Sequence, residues 1–136
     1  ETIASEDEVQ VYEVIMADSE GAPTFRLMRA ESDLKDNRLL PRGWKSGGPD
    51  DDAIAPVLGT QDDNFIGGGD SVEYRVETPA PGPLTIRATL HYQVLSPRFA
   101  DELFEWDAPE IRAFERFYNA AERGPELVAS AETTVP

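Results

Sequence analysis

The sequence predicts a mainly β protein: an antiparallel β-sandwich of the jelly-roll or Ig-like type, with a long loop excursion and one or two short helices near the C-terminus. Three observations support this fold class. Residues 84–95 alternate almost without fault between apolar and polar side chains, the pattern of a long strand with one dry face. Other short segments are rich in β-branched residues. Helical spacing appears after residue 96.

The length of 136 residues fits one domain. Residues 1–7 are polar and acidic, and we expect a flexible leader there, followed by a single β-sandwich domain over 8–136. The chain opens at Glu1 without a methionine, which indicates a mature or excised fragment of a longer product. No apolar run approaches the roughly 20 residues that a membrane-spanning helix needs, so membrane insertion is not expected.

The N-terminal half begins with a predicted hairpin. Residues 8–17 and 24–31 have the composition of strands, and Asp18–Pro23 supplies the turn. Residues 33–69 are rich in Asp, Gly and Pro and are predicted to form the long excursion, with one short strand near 54–58.

The C-terminal half is predicted to start with a second hairpin. Residues 71–78 alternate like a strand, and the prolines of 79–83 should lead the chain back into residues 84–95. Ser96 is the expected N-cap of a first helix. A capping box from Asp107 to Glu110 is expected to open a second helix.

The remaining C-terminal expectations concern the last strand and the two tryptophans. Residues 126–135 are predicted to form a final strand. Trp106 is expected to fill the core beside the helix, and Trp44 to hold the long loop in place together with Leu39 and Leu40.

The formal net charge of −15, from 27 acidic and 12 basic residues, argues against nucleic acid and anionic lipid as partners. The basic residues include only two lysines, Lys35 and Lys45. Few lysines and many acids are typical of a halophilic protein, in which salt screens the repulsion between like charges. An acidic soluble domain without salt adaptation is the competing interpretation, and thermal stability that rises from low to molar salt distinguishes the two.

The residues that enzymes most often use are poorly represented. The absence of cysteine excludes disulfides and thiolate chemistry within the chain, and no Gly-x-Ser-x-Gly motif is present. His91 is the sole histidine, and it lies on the polar face of the predicted strand 84–95. We therefore expect no enzymatic activity, and a surface or interface role for His91.

The densest group of oxygen-bearing side chains lies just before residue 71. Calcium takes six to eight oxygen ligands, and a glycine-rich loop can fold around it. Asp62, Asp63, Asn64 and Asp70 are the candidate ligands, although their spacing is not that of an EF-hand. A solvated turn is the competing interpretation, and a calorimetric titration with millimolar calcium distinguishes the two.

Residues 36–44, 63–74 and 90–99 resemble the C-terminal, haem-free module of exported bacterial multihaem c-type cytochrome-like proteins. The resemblance extends over about residues 9–120 and transfers no site residue. It implies an extracytoplasmic β-sandwich attached to haem-bearing domains. Since this chain has no Cys-x-x-Cys-His motif, any haem would lie outside it.

Two hypotheses of function follow. The first is a non-catalytic accessory or interaction module, periplasmic or extracellular, whose partners are the haem-bearing domains of its parent or another redox protein involved in electron transport. The alternative is a calcium-dependent or carbohydrate-binding β-sandwich, in which Trp44 and the loop 62–70 form the site.

Overall fold

The computed structural model describes residues 1–45, 47–48, 63–77 and 82–136. The chain divides into two compact units, Glu1–Glu77 and Thr78–Pro136. In chain order, the strands and helices of the described residues are β1 (Thr2–Ile3), β2 (Val14–Ala17), β3 (Pro23–Thr24), β4 (Ser32–Asp36), β5 (Glu73–Tyr74), β6 (Leu84–Tyr92), α1 (Pro97–Phe104), α2 (Pro109–Ala120) and β7 (Glu126–Val135).

The predicted β-rich class with two helices near the C-terminus is confirmed, and antiparallel pairing dominates the sheets. The two-layer packing of a β-sandwich is not established by the described strands. The strand expected near 54–58 and the acidic run 50–52 lie outside the described residues. The single domain over 8–136 stays a prediction.

The N-terminal unit is built on a three-stranded antiparallel sheet in the order β3-β2-β4. Asp18 closes the turn after β2, because its Oδ1 accepts hydrogen bonds from the backbone N–H groups of Glu20 and Ala22, both at 3.0 Å. The sheet buries Ile15 and Ala17 from β2. A separate parallel pair joins β1 to β5 and buries Ile3, so the segment expected to be a flexible leader includes a strand.

The predicted hairpin partner at 24–31 is wrong. Only Pro23–Thr24 pairs with β2 there, and a turn follows, in which the N–H of Arg29 donates to the carbonyl of Arg26 at 2.8 Å. The longer partner is β4, although its sequence is polar. Its Asp36 is buried because the guanidinium of Arg38 donates to its carboxylate, with Nε 2.8 Å from Oδ1. The ion pair offsets the cost of burying a charge.

The C-terminal unit contains a two-stranded antiparallel ribbon made of β6 and β7. Strand β7 has the bounds that the sequence predicts, and β6 fills most of its predicted range. The predicted pairing of 71–78 with 84–95 is wrong, because β5 pairs with β1 and β6 pairs with β7. The alternation of β6 over nine residues needs a partner of similar length, and β7 with ten residues provides it.

The two helices pack on each other through three aromatic rings. The ring of Phe104 lies 5.9 Å from that of Phe114 and 5.4 Å from that of Tyr118, measured between centroids. Ala100 is fully buried in α1. None of the helices in the described ranges is long and apolar enough to cross a membrane.

Two expectations about the helices are wrong. The N-cap of α2 is Ala108 and not Asp107, because Pro109 takes the first helical position; Asp107 instead forms an ion pair with Arg112. Trp106 does not fill the core, since 53% of its surface is exposed.

Candidate functional site

An open groove of about 350 Å³ lies in the C-terminal unit, where the end of β6 meets the end of α2. The residues after β6, at 93–95, form one wall. The last turns of α2 and residues 121–124 form the other. Most of its apolar lining comes from Tyr92, Val94, Phe114, Phe117 and Tyr118.

The groove follows from local sequence patterns at both walls. In α2, apolar residues recur at helical spacing, which puts Phe114, Phe117 and Tyr118 on one broad stripe. Phe114 and Tyr118 contact Phe104 of α1, whereas Phe117 is 74% exposed. Val94, just beyond β6, is 78% exposed. Apolar surface is therefore available on both walls.

Charged side chains lie around this apolar lining. The guanidinium carbon of Arg123 is 4.9 Å from the centroid of the Tyr118 ring, a cation–π contact. Glu122 and Glu126 also line the groove. The turn after β6 is held by Gln93, whose side-chain amide donates to the carbonyl of Leu95 at 3.2 Å.

The lining residues of the groove supply binding groups. They offer aromatic faces, one guanidinium and two carboxylates, but no serine, cysteine or histidine to act as nucleophile or imidazole base. An aromatic surface with a charged rim is typical of sites that bind other proteins or apolar ligands.

The candidate calcium ligands are only partly brought together. Asp62 lies outside the described residues, whereas Asp63, Asn64 and Asp70 are described. The side-chain oxygen of Asn64 accepts from the N–H of Ser71 at 2.9 Å, and Oδ1 of Asp70 accepts from the same N–H at 2.7 Å. Oδ2 of Asp70 accepts from the hydroxyl of Tyr12 at 2.8 Å.

These hydrogen bonds indicate a structural role for Asn64 and Asp70. Within the described residues, no group of three or more acidic or histidine side chains could hold a metal ion. The oxygens of Asn64 and Asp70 already face donors of the protein itself. The calcium site stays a prediction, because Asp62 belongs to it.

The loop before β5 packs on the turn that contains Trp44. The N–H of Gly68 donates to the carbonyl of Leu40 at 2.9 Å, and a Cβ at Gly67 would lie 2.7 Å from the carbonyl oxygen of Trp44. Trp44 itself is half-buried, and its Nε1 is buried without a hydrogen-bond partner in the described part of the chain. Trp44 thus lies in the packed turn against which the glycine loop closes.

His91 is exposed on the polar face of the ribbon, where it lies opposite Leu127. On the same face, Arg87 forms an ion pair with Glu132 across the strands, with Nη2 2.7 Å from Oε2. In the sequence, this face of β6 is basic and lacks acids. The acidic partner, Glu132, comes from β7, so the ion pair could not be predicted without knowing which strand lies beside β6.

Tyr12 is expected to ionise near pH 12, because burial and its hydrogen bond to Asp70 raise its pKa to about 12. The pKa of Tyr12 in the folded state lies above the unfolded value of about 10, so the protonated hydroxyl stabilises the folded state. This contribution to the free energy of unfolding is complete below pH 10 and is lost as the pH rises through 12. A spectrophotometric titration of tyrosine ionisation measures the pKa of Tyr12, and the Tyr12→Phe variant is the comparison. If the two proteins gave the same curve shape at the alkaline end, the proposed environment of Tyr12 would be wrong.

Sequence reasoning did not identify the groove. Phe114, Phe117 and Tyr118 have the sequence spacing of an apolar helix stripe, but a stripe does not tell which residues cover it. The sequence signal for the groove is that the stripe carries more aromatic rings than one neighbouring helix can cover. Phe104 contacts Phe114 and Tyr118, and Phe117 remains exposed.

Comparison with protein-family models finds no match. Neither a characterised protein nor a solved structure matches the chain.

Proposed function

We propose that this chain is a non-catalytic, extracytoplasmic interaction module of a larger multihaem cytochrome-like electron-transfer protein, and that it docks a haem-bearing domain or redox partner through the groove beside α2. The observation that carries the proposal is the exposed aromatic wall of the groove, above all Phe117. A large, exposed ring beside other apolar groups favours binding of another protein surface.

The energetics of the groove suit a reversible contact. Burying one large apolar side chain contributes about 1.5–3 kcal/mol, and Tyr92, Val94 and Phe117 are the most exposed of the apolar lining. Part of this gain offsets the entropy lost on association. The acidic surface of the chain steers a basic partner towards the groove, so that association should be fastest at low ionic strength.

The nature of the partner rests on the resemblance of residues 36–44, 63–74 and 90–99 to the haem-free module of exported cytochrome-like proteins. The periplasmic or extracellular location rests on the same resemblance. The β-sandwich architecture belongs to this proposal too: the ribbon of β6 and β7 supplies one layer, and because both strands are exposed in this chain, another molecule supplies the layer that faces it.

A site-specific photo-crosslinker in the parent protein tests the proposal. With p-benzoylphenylalanine in place of Phe117, we expect crosslinks to a haem-bearing polypeptide or domain, identified by haem staining and peptide mass spectrometry. Leu27 in the N-terminal unit is the matched control, because it is apolar and 81% exposed. Equal crosslinking from both positions, or crosslinks that never involve a haem protein, would contradict the proposal.

A further inference from the structure

One face of the β6–β7 ribbon is uncharged over most of its length. Directly opposed residues of antiparallel strands point to the same side of a sheet, so the register places five cross-strand pairs on this face. The pair at the end of the ribbon, Tyr92 with Glu126, carries the one charge. The four uncharged pairs are Leu84 with Val135, Ile86 with Thr133, Ala88 with Ala131, and Leu90 with Ala129. We call these eight residues the apolar ribbon face.

The apolar ribbon face is exposed along its whole length. Ile86 is 51% exposed and Leu90 is 44% exposed, and every residue of β6 and β7 is exposed. An isolated two-stranded ribbon is only marginally stable in water, and it needs a further layer on its apolar side. This face is also a contiguous apolar surface, of the kind that marks an interaction site.

We propose that a second copy of this chain covers the apolar ribbon face, so that two ribbons stack face to face about a two-fold axis. The predicted β-sandwich would then form between two molecules, with one layer from each. The contact adjoins the groove beside α2 at Tyr92 but shares no residue with it, and it does not depend on the function proposed for that groove.

The lack of charge on the apolar ribbon face favours a second copy over a partner of different chemistry. The chain carries 27 acidic residues, and a basic partner would be selected by acidic surface. None of these acids is among the eight residues of the apolar ribbon face, and Glu126 borders it at one end. The face instead requires a flat, uncharged, apolar surface with the same twist, and the identical ribbon of another molecule meets these requirements.

The small residues at the centre of the face permit close stacking. The pair Ala88 and Ala131 lies between the bulkier Ile86 and Leu90 levels, and Ala129 is the small partner of Leu90. With a two-fold axis at the level of Ala88, Ile86 of one copy lies opposite Leu90 of the other, and the sheets can approach to the usual separation of about 10 Å.

The size of the contact predicts its strength. Eight half-exposed residues offer on the order of 500 Å² per copy, so the dimer buries about 1,000 Å² in total, at the lower limit for a specific interface. We therefore expect a micromolar dissociation constant. Each copy carries a charge of −15, so molar salt should tighten the dimer by screening repulsion between the copies.

Sedimentation velocity of the 136-residue chain over a range of micromolar concentrations, in low and molar NaCl, tests the proposal. We expect a concentration-dependent dimer that is tighter in molar salt. Ile86→Asp should weaken the dimer at least tenfold. Thr89→Asp adds the same charge on the opposite face of β6 and should leave the dimer intact.

A second measurement keeps the test decisive if Ile86→Asp unfolds, which circular dichroism would reveal. The chain lacks cysteine, so a single cysteine can be introduced at Ala88 or, as the control, at Thr89. A short bis-maleimide should join two copies of Ala88→Cys and leave Thr89→Cys monomeric. A chain that is monomeric under all conditions would overturn the proposal. So would equal effects of the changes at the two faces in both the sedimentation and the crosslinking experiments. An unreactive Ala88→Cys, which would mean that the chain itself covers the face, would also overturn it.

Discussion

Replacing Phe104 with alanine is expected to lower the free energy of unfolding by about 2–3 kcal/mol. The ring of Phe104 contacts both Phe114 and Tyr118 and so joins α1 to α2. Its removal loses the transfer free energy of the ring, leaves a cavity, and breaks two aromatic contacts that are worth about 0.5–1.5 kcal/mol each. The value lies below that of a fully buried phenylalanine because Phe104 is only partly buried.

Phe117→Ala is the matched control for this substitution. It removes the same side chain from α2, but Phe117 is 74% exposed, so we expect a change of no more than about 0.5 kcal/mol. Urea denaturation followed by circular dichroism measures both variants, and the midpoint should fall for Phe104→Ala with little change in the denaturant slope. Similar midpoints for the two variants would show that the aromatic cluster does not hold the helices together.

Gly67→Ala is expected to destabilise the N-terminal unit by about 1–3 kcal/mol. A Cβ at this position would lie 2.7 Å from the carbonyl oxygen of Trp44, 3.0 Å from its nitrogen and 3.2 Å from the carbonyl oxygen of Pro41. All three atoms belong to the backbone and cannot move aside by rotation of a side chain. The loop must therefore separate from the turn at Trp44, or the turn must shift.

Gly69→Ala provides a control only two residues away. A Cβ there would meet nothing within 4 Å, so we expect a neutral effect, or a stabilisation of about 0.4–1 kcal/mol from the reduced entropy of the unfolded chain. Thermal unfolding of both variants, in a Trp106→Phe background that leaves Trp44 as the fluorescent reporter, measures the difference. Equal melting temperatures would mean that the loop does not pack on Trp44 as described.

The periodic C-terminal segments were predicted well from sequence, whereas strand pairing was not. Strand β7 and most of β6 follow from local composition and alternation, which do not depend on the neighbouring strand. Pairing is a long-range property, and the prolines of 79–83 favoured the wrong neighbour. Strand β4 was not predicted because its sequence is polar. Its Asp36 can be buried only because it forms an ion pair with Arg38, which the strand pattern does not show.

The candidate sites divide in the same way. The sequence drew attention to the loop that contains Asn64 and Asp70, and these residues do organise it, although the observed partners of their oxygens are Ser71 and Tyr12. Local sequence cannot reveal such donors, since Tyr12 lies 58 residues from Asp70. The groove depends on the meeting of β6 with α2, and this too is a tertiary property.

The register shift between Leu90 and His91 helps to determine which residues of β6 and β7 pair with each other. Strands β6 and β7 are joined through both helices, so no tight turn fixes which residues face each other. A slip by one residue would exchange the two faces and put Arg87 among the alanines. The irregularity near one end of the ribbon and the Arg87–Glu132 ion pair near its middle therefore each help to fix the strand register. Since the register does not depend on a tight turn, the helical connection from β6 to β7 can vary in length without exchanging the two faces.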